Sequence, residues 1–267
     1  MAVEQWRSEI RVGDRRLLCV ADGVFEMPEG FMSVPGYQRR FEDAQGVATL
    51  PVGSFVVPGD QTVLIDAGVG PFATRGLAGG ALLRELAAVG VQPADVEVVA
   101  ITHLHLDHDG WVTTKADGVT FPNAVVHVGR ADFEHFVVEQ ASPDFRVARH
   151  KREGLQALLD GGRLVLVDDE LEIAPGVVAL PTPGHTPGHL AFAVGDRHER
   201  VLVLGDAMYC PEQLTDADLT AMHDLDPALA RRTRELLQRE ADRHGTQAVG
   251  CHFPGLRAAR VVGGAVT

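Results

Sequence analysis

Short apolar runs separated by polar turns recur along the chain, and most of them are too short to be helices. Residues 10–12 and 17–20 alternate around a Gly13-Asp14 turn, which predicts a β-hairpin. A second hairpin is predicted for residues 53–66, with Pro58 and Gly59 in its turn. Further strands are predicted at residues 96–101, 124–128, 164–167, 177–180, 190–194, 201–204 and 247–250.

Four segments instead carry apolar residues at helical spacing. They are predicted at residues 80–89, 130–138, 151–159 and 227–244, the last with Asp226 as its N-cap, Leu229, Leu236 and Leu237 as its apolar positions, and Gly245 at its end. Strands followed by helices, and then strands followed by a helix, are compatible with two packed sheets and outer helices. No repeat or low-complexity linker divides the chain. We therefore expect residues 1–267 to form a single α/β domain.

One long segment, residues 25–41, follows neither period. Pro and Gly punctuate it, and it carries several large apolar side chains: Phe25, Met27, Phe31, Met32, Tyr37 and Phe41. Long irregular loops of this kind either cover a binding site or pack on the core. The sequence leaves both interpretations open.

A dense group of potential metal ligands comes directly after the predicted strand 96–101. Within six residues the chain has His103, His105, Asp107 and His108. In an extended chain the first two point the same way, so they can reach one ion. A turn is needed to bring Asp107 and His108 inward, and these two would serve a neighbouring ion. Burying four such groups without a metal would leave costly unsatisfied polar atoms, so the spacing predicts two metals.

Three later strands also end close to a potential ligand. His185 follows the predicted strand 177–180, Asp206 follows 201–204 and His252 follows 247–250. Because functional residues concentrate on loops held by a rigid scaffold, we expect these side chains to join the first group.

Composition narrows the class of protein. The chain of 267 residues has a net charge of −13, which disfavours nucleic acid and anionic membranes as partners. Its three cysteines, at positions 19, 210 and 251, are widely spaced, which favours the reducing cytoplasm, and Cys210 and Cys251 are expected to be buried by packing. The first residues lack the pattern of a signal peptide, and no apolar run is long enough to span a bilayer. A cytoplasmic protein is expected.

Together these motifs resemble the metallo-β-lactamase-fold superfamily of metallohydrolases. The resemblance covers nearly the whole chain and rests on these stretches: Leu64-Ile65-Asp66-Ala67-Gly68, Thr102-His103-Leu104-His105-Leu106-Asp107-His108, Thr182-Pro183-Gly184-His185-Thr186-Pro187-Gly188-His189, Gly205-Asp206 and His252. It implies a four-layer αββα sandwich of two mixed β-sheets flanked by helices.

The resemblance also implies a dinuclear site with a defined ligand set. One ion would be held by His103, His105 and His185, the other by Asp107, His108 and His252, with Asp206 bridging them. The ions would be two divalent metals, with Zn²⁺ the default and Fe, Mn or Co able to occupy the same ligands. A hydroxide shared by the ions would be the nucleophile, and Asp107 could hold its proton.

Two features indicate the reaction subclass, and they point in different directions. Acyl-homoserine lactone lactonases carry a tyrosine at a similar place after the bridging aspartate, so Tyr209 could hydrogen-bond the substrate carbonyl, although it could equally pack its ring in the core. The ending His252-Phe253-Pro254-Gly255 instead resembles arylesterase and organophosphate-hydrolysing members.

The sequence therefore predicts a dinuclear metal-dependent hydrolase of a small ester-like substrate with an apolar acyl or aryl part, a lactone first of all. An arylester, organophosphate or thioester hydrolase of the same fold is the alternative. Two further possibilities are an iron-dependent persulfide-type dioxygenase with one ion and a binding protein without turnover. A homodimer is left open.

Overall fold

The computed structural model describes residues 3–116, 118–142, 147–243 and 246–267. The strands, in chain order, are β1 (Ser8–Val12), β2 (Arg15–Glu26), β3 (Thr49–Val57), β4 (Thr62–Ile65), β5 (Ala73–Thr74), β6 (Leu77–Ala78), β7 (Val96–Ala100), β8 (Thr113–Thr114), β9 (Gly118–Val119), β10 (Val125–Gly129), β11 (Leu164–Val167), β12 (Leu171–Ala174), β13 (Val177–Pro181), β14 (Leu190–Gly195), β15 (Arg200–Val203), β16 (Thr246–Val249), β17 (Val261–Val262) and β18 (Ala265–Val266). The α-helices are α1 (Leu82–Ala88), α2 (Arg130–Asp132), α3 (Arg149–Asp160) and α4 (Pro227–Ala241).

Two large mixed sheets are formed by the described residues. The first has the order β11-β10-β7-β4-β3-β2-β6-β5, with β1 also paired to β2, and the second has the order β12-β13-β14-β15-β16. In the first sheet, β4, β7, β10 and β11 are parallel neighbours. In the second, β15 and β16 are parallel. Parallel neighbours end at the same edge of a sheet, so their carboxyl ends can share one site.

The apolar residues of the described chain form layers that match the predicted sandwich. Side chains such as Phe55 and Phe192 lie in a core between the two sheets. A second core joins the outer face of the first sheet to α1, α3 and the segment after α2, with Leu86 and Leu155 among its members. A third joins the second sheet to α4 through Leu237. The order helix, sheet, sheet, helix confirms the αββα prediction.

Several elements differ from the sequence prediction, which contains none of the two-residue strands β5, β6, β8, β9, β17 and β18. The helix expected over residues 130–138 is one α-helical turn, α2, continued as a π-helix over Phe133–Val138. Strand β12 was not predicted, because its first two residues, Leu171 and Glu172, are exposed and the alternation is weak. Helix α4 ends at Ala241, and the predicted end near His244 and Gly245 lies outside the described residues.

The N-cap predicted for α4 is present. The Asp226 side chain accepts a hydrogen bond from the backbone N–H of Leu229, with Pro227 in the first turn. Leu237 is buried, whereas Leu236 is 57% exposed. The buried face of this helix instead includes Thr233 and Arg234, so helix–sheet packing here uses polar side chains as well as leucine.

Residues 25–41 pack against the chain that follows β15. Met32 forms an isolated β-bridge with Ala221, and the N–H of Met222 donates to the carbonyl oxygen of Phe31 at 2.9 Å. Most of the large side chains of this segment, including Phe31 at 1% exposure, are buried in a cluster with Tyr209, and Phe25 and Phe41 pack against it partly buried. This agrees with the core-packing interpretation, and the same segment also lines the cavity described below.

None of the helices within the described residues is long and apolar enough to cross a membrane. The three cysteines are free and buried, in agreement with the packing role expected for Cys210 and Cys251.

Candidate metal centre

The carboxyl ends of strands from both sheets deliver the sequence-predicted site residues to one place. From the first sheet, β7 leads into His103. From the second, β13 leads toward His185, β15 toward Asp206 and β16 toward His252. The site therefore lies at the edge where the two sheets meet, as the strand-end argument predicts.

A tight turn after β7 points the remaining residues of the motif inward. The N–H of His108 donates to the carbonyl oxygen of His105 at 3.1 Å, which reverses the chain between them. Gly110 closes this turn against the backbone of Val69, where an added Cβ would lie 1.9 Å from the carbonyl carbon of that residue. Only glycine fits so close an approach. Asp107 and His108 can therefore face the same site as His103 and His105.

Three histidines form the first group of potential ligand atoms. His103 Nε2 lies 3.0 Å from His105 Nδ1, and His185 Nε2 lies 3.1 Å from the same atom. All three side chains are buried. Three nitrogens converging in this way could hold one metal ion.

Asp107, His108 and His252 form the second group. His252 Nε2 is 3.4 Å from Asp107 Oδ2, and His108 Nε2 is 3.7 Å from Asp107 Oδ1. These atoms also satisfy the geometry of a potential metal site, here with mixed nitrogen and oxygen donors.

Asp206 lies between the two groups and turns one carboxylate oxygen toward each. Its Oδ2 is 3.9 Å from His103 Nε2 and 3.7 Å from His185 Nε2. Its Oδ1 is 3.3 Å from His108 Nε2 and 3.4 Å from His252 Nε2. One carboxylate thus faces both sets of nitrogens.

The unsatisfied polar atoms fit a divalent cation. His108 Nε2 and Asp206 Oδ1 are buried and have no hydrogen-bond partner among the described residues, although they face each other. Buried polar atoms without a partner are costly, and a metal ion would satisfy both. Imidazole nitrogens with carboxylate oxygens are a donor set typical of zinc and compatible with iron, manganese and cobalt.

The electrostatics of the first group favour neutral imidazoles. Burial lowers the pKa of His103 and His105 well below the usual value, and neighbouring histidines lower it further. A metal ligand must be unprotonated, so these rings are ready to bind. In the second group, burial lowers the pKa of His108, but the carboxylates of Asp206 and Asp107 outweigh it and raise the pKa well above its usual value.

Asp66, the residue after β4, orients His108 through the ring nitrogen that does not face the site. Its Oδ2 is 2.8 Å from His108 Nδ1, and it also accepts hydrogen bonds from the Thr102 backbone N–H and from Cys251 Sγ. Asp66 has a φ of 59°, which is unusual for a residue other than glycine and is a form of strain often found at functional sites. Because Nδ1 of His108 is engaged in this way, Nε2 is left to face the site.

Other buried groups contact the second ring nitrogens of His185 and His252. His185 Nδ1 is 3.3 Å from Asp224 Oδ1, and the other oxygen of Asp224 accepts from the buried Arg234 at 3.0 Å. His252 Nδ1 is 2.8 Å from the carbonyl oxygen of Pro51. Each contact fixes which nitrogen is available to the site.

His189 contacts the site through the backbone of Asp206 and is not directed at either ligand group. The N–H of Asp206 donates to His189 Nε2 at 3.2 Å, and His189 Nδ1 is 2.8 Å from Thr182 Oγ1.

Tyr209 lies beside the two ligand groups and lines a large cavity. Its ring stacks on that of His252 and packs edge-on against Phe31, with centroids 4.9 Å apart. Burial raises the pKa of the phenol well above its usual value, and the nearby Asp206 carboxylate raises it further, so the hydroxyl keeps its proton. The ring packs, as one interpretation predicts, and the residue also lines the cavity.

The cavity has a volume of about 1180 Å³ and opens over the potential metal ligands. Asp107, Asp206 and His252 lie in its lining. Much of its wall is apolar and comes from residues 25–31 and from later parts of the chain: Phe25, Met27, Phe31, Val69, Phe72, Leu104, Leu106 and Val147.

Sequence reasoning gave no role to four residues that the structure brings to the site. They are Asp66, Asp224, His189 and His223, of which the last lines the cavity. Two of them lie inside stretches already recognised: Asp66 follows a predicted strand and His189 ends the Thr182–His189 motif. Asp224 and His223 lie in an irregular loop after β15, where no periodicity signals a position near the site.

The histidines and aspartates that could hold metal ions converge at one edge of two packed sheets. Residues 47–252 match the model of the metallo-beta-lactamase superfamily, and the chain belongs to that family.

Curated relatives include an N-acyl homoserine lactonase from a Bacillus species, 30% identical over 163 residues, which are 60% of this chain and 58% of that protein. A probable metallo-hydrolase of Mycobacterium tuberculosis is 34% identical over 139 residues, 47% of this chain and 41% of that protein. The chain thus spans less than two thirds of the length of the curated relatives that it matches.

Solved structures share the fold along almost the whole chain. A probable metal-dependent hydrolase from Staphylococcus aureus has a TM-score of 0.81 at 19% identity, covering 96% of each chain. The dizinc quorum-quenching lactonase AidC, solved with a product, has a TM-score of 0.78 at 21% identity, covering 97% of this chain and 95% of that one.

Proposed function

We propose that this protein is a dinuclear metal-dependent hydrolase that opens the ring of a lactone with an apolar acyl substituent. The observation that carries the proposal is the position of Asp206, whose two carboxylate oxygens face different groups of potential ligands. Such a carboxylate is suited to bridge two ions. One ion would be held by His103, His105 and His185, and the other by Asp107, His108 and His252.

When bound, two divalent ions would lower the pKa of a water molecule and polarise the substrate carbonyl. The protein supplies the remaining functions. Asp107 is the only one of the proposed ligands that is partly exposed, and it lines the cavity. Burial raises the pKa of its carboxyl, but His108 and His252 outweigh burial and hold it below the usual range. Asp107 is therefore ionised in the metal-free protein, and from its place in the cavity lining we propose that it takes up the proton of the nucleophile.

Tyr209 is proposed to donate a hydrogen bond to the carbonyl oxygen as negative charge develops on it. Its protonated phenol lies close to Asp206, and its ring is held by His252 and Phe31. A donor fixed before the reaction stabilises an oxyanion without having to reorganise, and this is where such donors are most effective.

The cavity wall supports the choice of substrate class. Aromatic and aliphatic side chains such as Phe25, Phe31 and Leu104 surround the proposed site, and they favour an apolar acyl or aryl group. The similarity to N-acyl homoserine lactonases supports a lactone as the group that is opened. Because both sheets contribute ligands, we also infer that residues 1–267 act as one functional domain.

A panel of substrates would test the proposal. The zinc-loaded protein would be assayed with acyl-homoserine lactones of several chain lengths, aryl esters, thioesters and phosphotriesters, alongside metal analysis by mass spectrometry. We expect two ions per chain and kcat/KM for lactones at least tenfold above that for the other classes. The His105→Ala variant is expected to lose the activity, whereas the exposed His198→Ala variant should keep it.

The other outcomes discriminate between the alternatives. A preference for aryl esters, thioesters or phosphotriesters would overturn the lactone assignment while retaining the metal site. A single iron per chain without turnover of any ester would overturn the hydrolase proposal and favour an oxidative member of the fold. Two ions without turnover of any substrate class would favour a binding protein.

A further inference from the structure

The loop between β13 and β14 is closed at its two ends by Thr182 and His189, and His189 also contacts the backbone of Asp206. Thr182 begins this loop, His185 lies in its middle and His189 ends it. The N–H of Thr182 donates to the carbonyl oxygen of His189 at 2.8 Å, which closes the loop as a unit. His185 is a proposed ligand of the first ion, so the unit carries one of the proposed ligands.

The hydrogen bonds of His189 allow a single arrangement of its protons. The Asp206 N–H can only donate, so His189 Nε2, 3.2 Å away, must accept and carries no proton. The proton of the neutral ring is then on Nδ1, which donates to Thr182 Oγ1 at 2.8 Å. The Thr182 hydroxyl can in turn donate to the carbonyl oxygen of His189 at 3.4 Å. Since both ring nitrogens are occupied, His189 is not available as a further metal ligand.

The backbone next to Asp206 leaves space for this contact because the preceding residue, Gly205, has no side chain. Gly205 has a φ of 53°, and a Cβ at this position would lie 2.7 Å from His189 Nε2 and 2.8 Å from the Thr102 side chain. A larger residue would push the imidazole away from the Asp206 N–H. His189 itself is fully buried, 5.1 Å from the His103 ring between centroids.

We propose that His189 is a positioning residue that fixes the backbone of the bridging carboxylate, Asp206, to the loop that carries His185. The Thr182 hydroxyl selects the tautomer that makes this possible. His189 and Thr182 thereby fix the position of the Asp206 carboxylate relative to the first group of ligands. This inference rests on the dinuclear site of the proposed function and adds a residue that touches neither substrate nor metal.

Two amide replacements test the roles of the two ring nitrogens of His189 one at a time. His189→Gln can place an amide oxygen near the position of Nε2, so it can still accept from the Asp206 N–H. His189→Asn can place its amide nitrogen near Nδ1, so it can still donate to Thr182 but has no acceptor for Asp206. Thr182→Val keeps the side-chain shape and removes the hydroxyl that selects the tautomer.

The readout is zinc affinity, measured by competition with a chelator, together with the spin-coupled electron paramagnetic resonance signal of the manganese-loaded protein. We expect His189→Asn and Thr182→Val to bind the second zinc ion about 10- to 100-fold more weakly than the parent and to lose much of the coupled signal. The His189→Gln variant should stay within about threefold of the parent, a difference well below the loss expected for a supporting partner.

If both His189→Asn and Thr182→Val show the zinc affinity and the spin-coupled manganese signal of the parent, the proposal is overturned. Equal losses in His189→Gln and His189→Asn would also overturn it, because that pattern reports the lost ring volume and not the acceptor. If His189→Asn does not fold, Thr182→Val alone decides the matter on the same two readouts. A parent protein that binds a single ion would instead overturn the dinuclear site, and a parent with two ions and no lactone turnover would overturn only the proposed substrate.

Discussion

Tyr209 stacks on His252 with ring planes 7° apart and centroids separated by 5.4 Å. The stack holds a protonated phenol beside a proposed metal ligand, in the lining of a cavity with apolar walls. Packing and the proposed hydrogen bond to substrate are therefore compatible at this residue, because the ring makes the packing contacts and the hydroxyl, near Asp206, is the group that would donate.

Replacing Tyr209 with phenylalanine should separate these two roles. Tyr209→Phe keeps the stacked ring and removes the donor, so we expect kcat for a lactone to fall about a hundredfold with little change in KM or in bound metal. Steady-state kinetics with metal analysis would measure this. Tyr37→Phe is the matched control, since that hydroxyl donates to Glu212 on the surface side. Equal rates for Tyr209→Phe and the parent would leave Tyr209 with a packing role alone.

Asp206→Asn tests the proposed bridge. An amide offers one neutral oxygen where the carboxylate turns one oxygen toward each ligand group, so the variant should retain about one ion per chain under conditions in which the parent retains two. Mass spectrometry of the dialysed protein would count the ions. Asp168→Asn, which removes an exposed carboxylate paired with Arg130, should retain both. Two ions in Asp206→Asn would show that the bridge is not required.

The proton balance of metal binding provides a test of the second group. Burial lowers the pKa of His252, but Asp206 and Asp107 outweigh burial and raise it to about 10 in the metal-free protein. The ring is therefore protonated near neutral pH and must lose this proton when it binds a metal. Zinc affinity should fall as the pH is lowered from about 8 to about 6.

Calorimetric titration with zinc in buffers of different ionisation enthalpy would measure the protons released. The His252→Asn variant should release about one proton fewer than the parent, whereas His198→Gln should match the parent because His198 is exposed. Heats that do not depend on the buffer would contradict the prediction.

Arg234 provides a stability test that does not depend on substrate. Its guanidinium is fully buried and pairs with Asp224, which in turn contacts His185. Arg234→Met would leave a buried carboxylate without its cation, and we expect the free energy of unfolding to fall by about 3–5 kcal/mol. Chemical denaturation of the metal-free protein would measure it.

Arg231 lies on the same helix and is the control for this substitution. It is 44% exposed and pairs with Asp218 and Glu235 at the surface. Arg231→Met should cost at most about 1 kcal/mol. Similar losses for the two variants would mean that burial of the Arg234–Asp224 pair has no special weight.

The sequence was sufficient for the layers of the fold and for the position of the site on it. Most strands are short apolar runs bounded by turn residues, and each proposed ligand follows one of them closely enough to be found from the pattern. The residues that orient those ligands were harder to find. Asp224 reaches His185 across 39 positions of sequence, and such a contact exists only once α4 and its preceding loop have packed.

The spacing of apolar residues was also insufficient to predict the local helix type. Phe133, Phe136 and Val137 are buried as their spacing suggests, but the wider turn that buries them is a π-helix. Apolar spacing reports which face is covered and is too coarse to distinguish these helix types over six residues.

The bridge between Met32 and Ala221 has a consequence for how substrate range could change in this chain. It ties the segment 25–41, which lines the cavity, to the loop after β15, which contributes His223 to the same lining and contacts His185 through Asp224. Exchanging these segments would therefore change the acyl pocket and the support of His185 together, because Asp224 of the second segment contacts that ring. Exchanging only one segment would remove their mutual pairing, so a change of substrate range in this chain is expected to require matched changes in both segments.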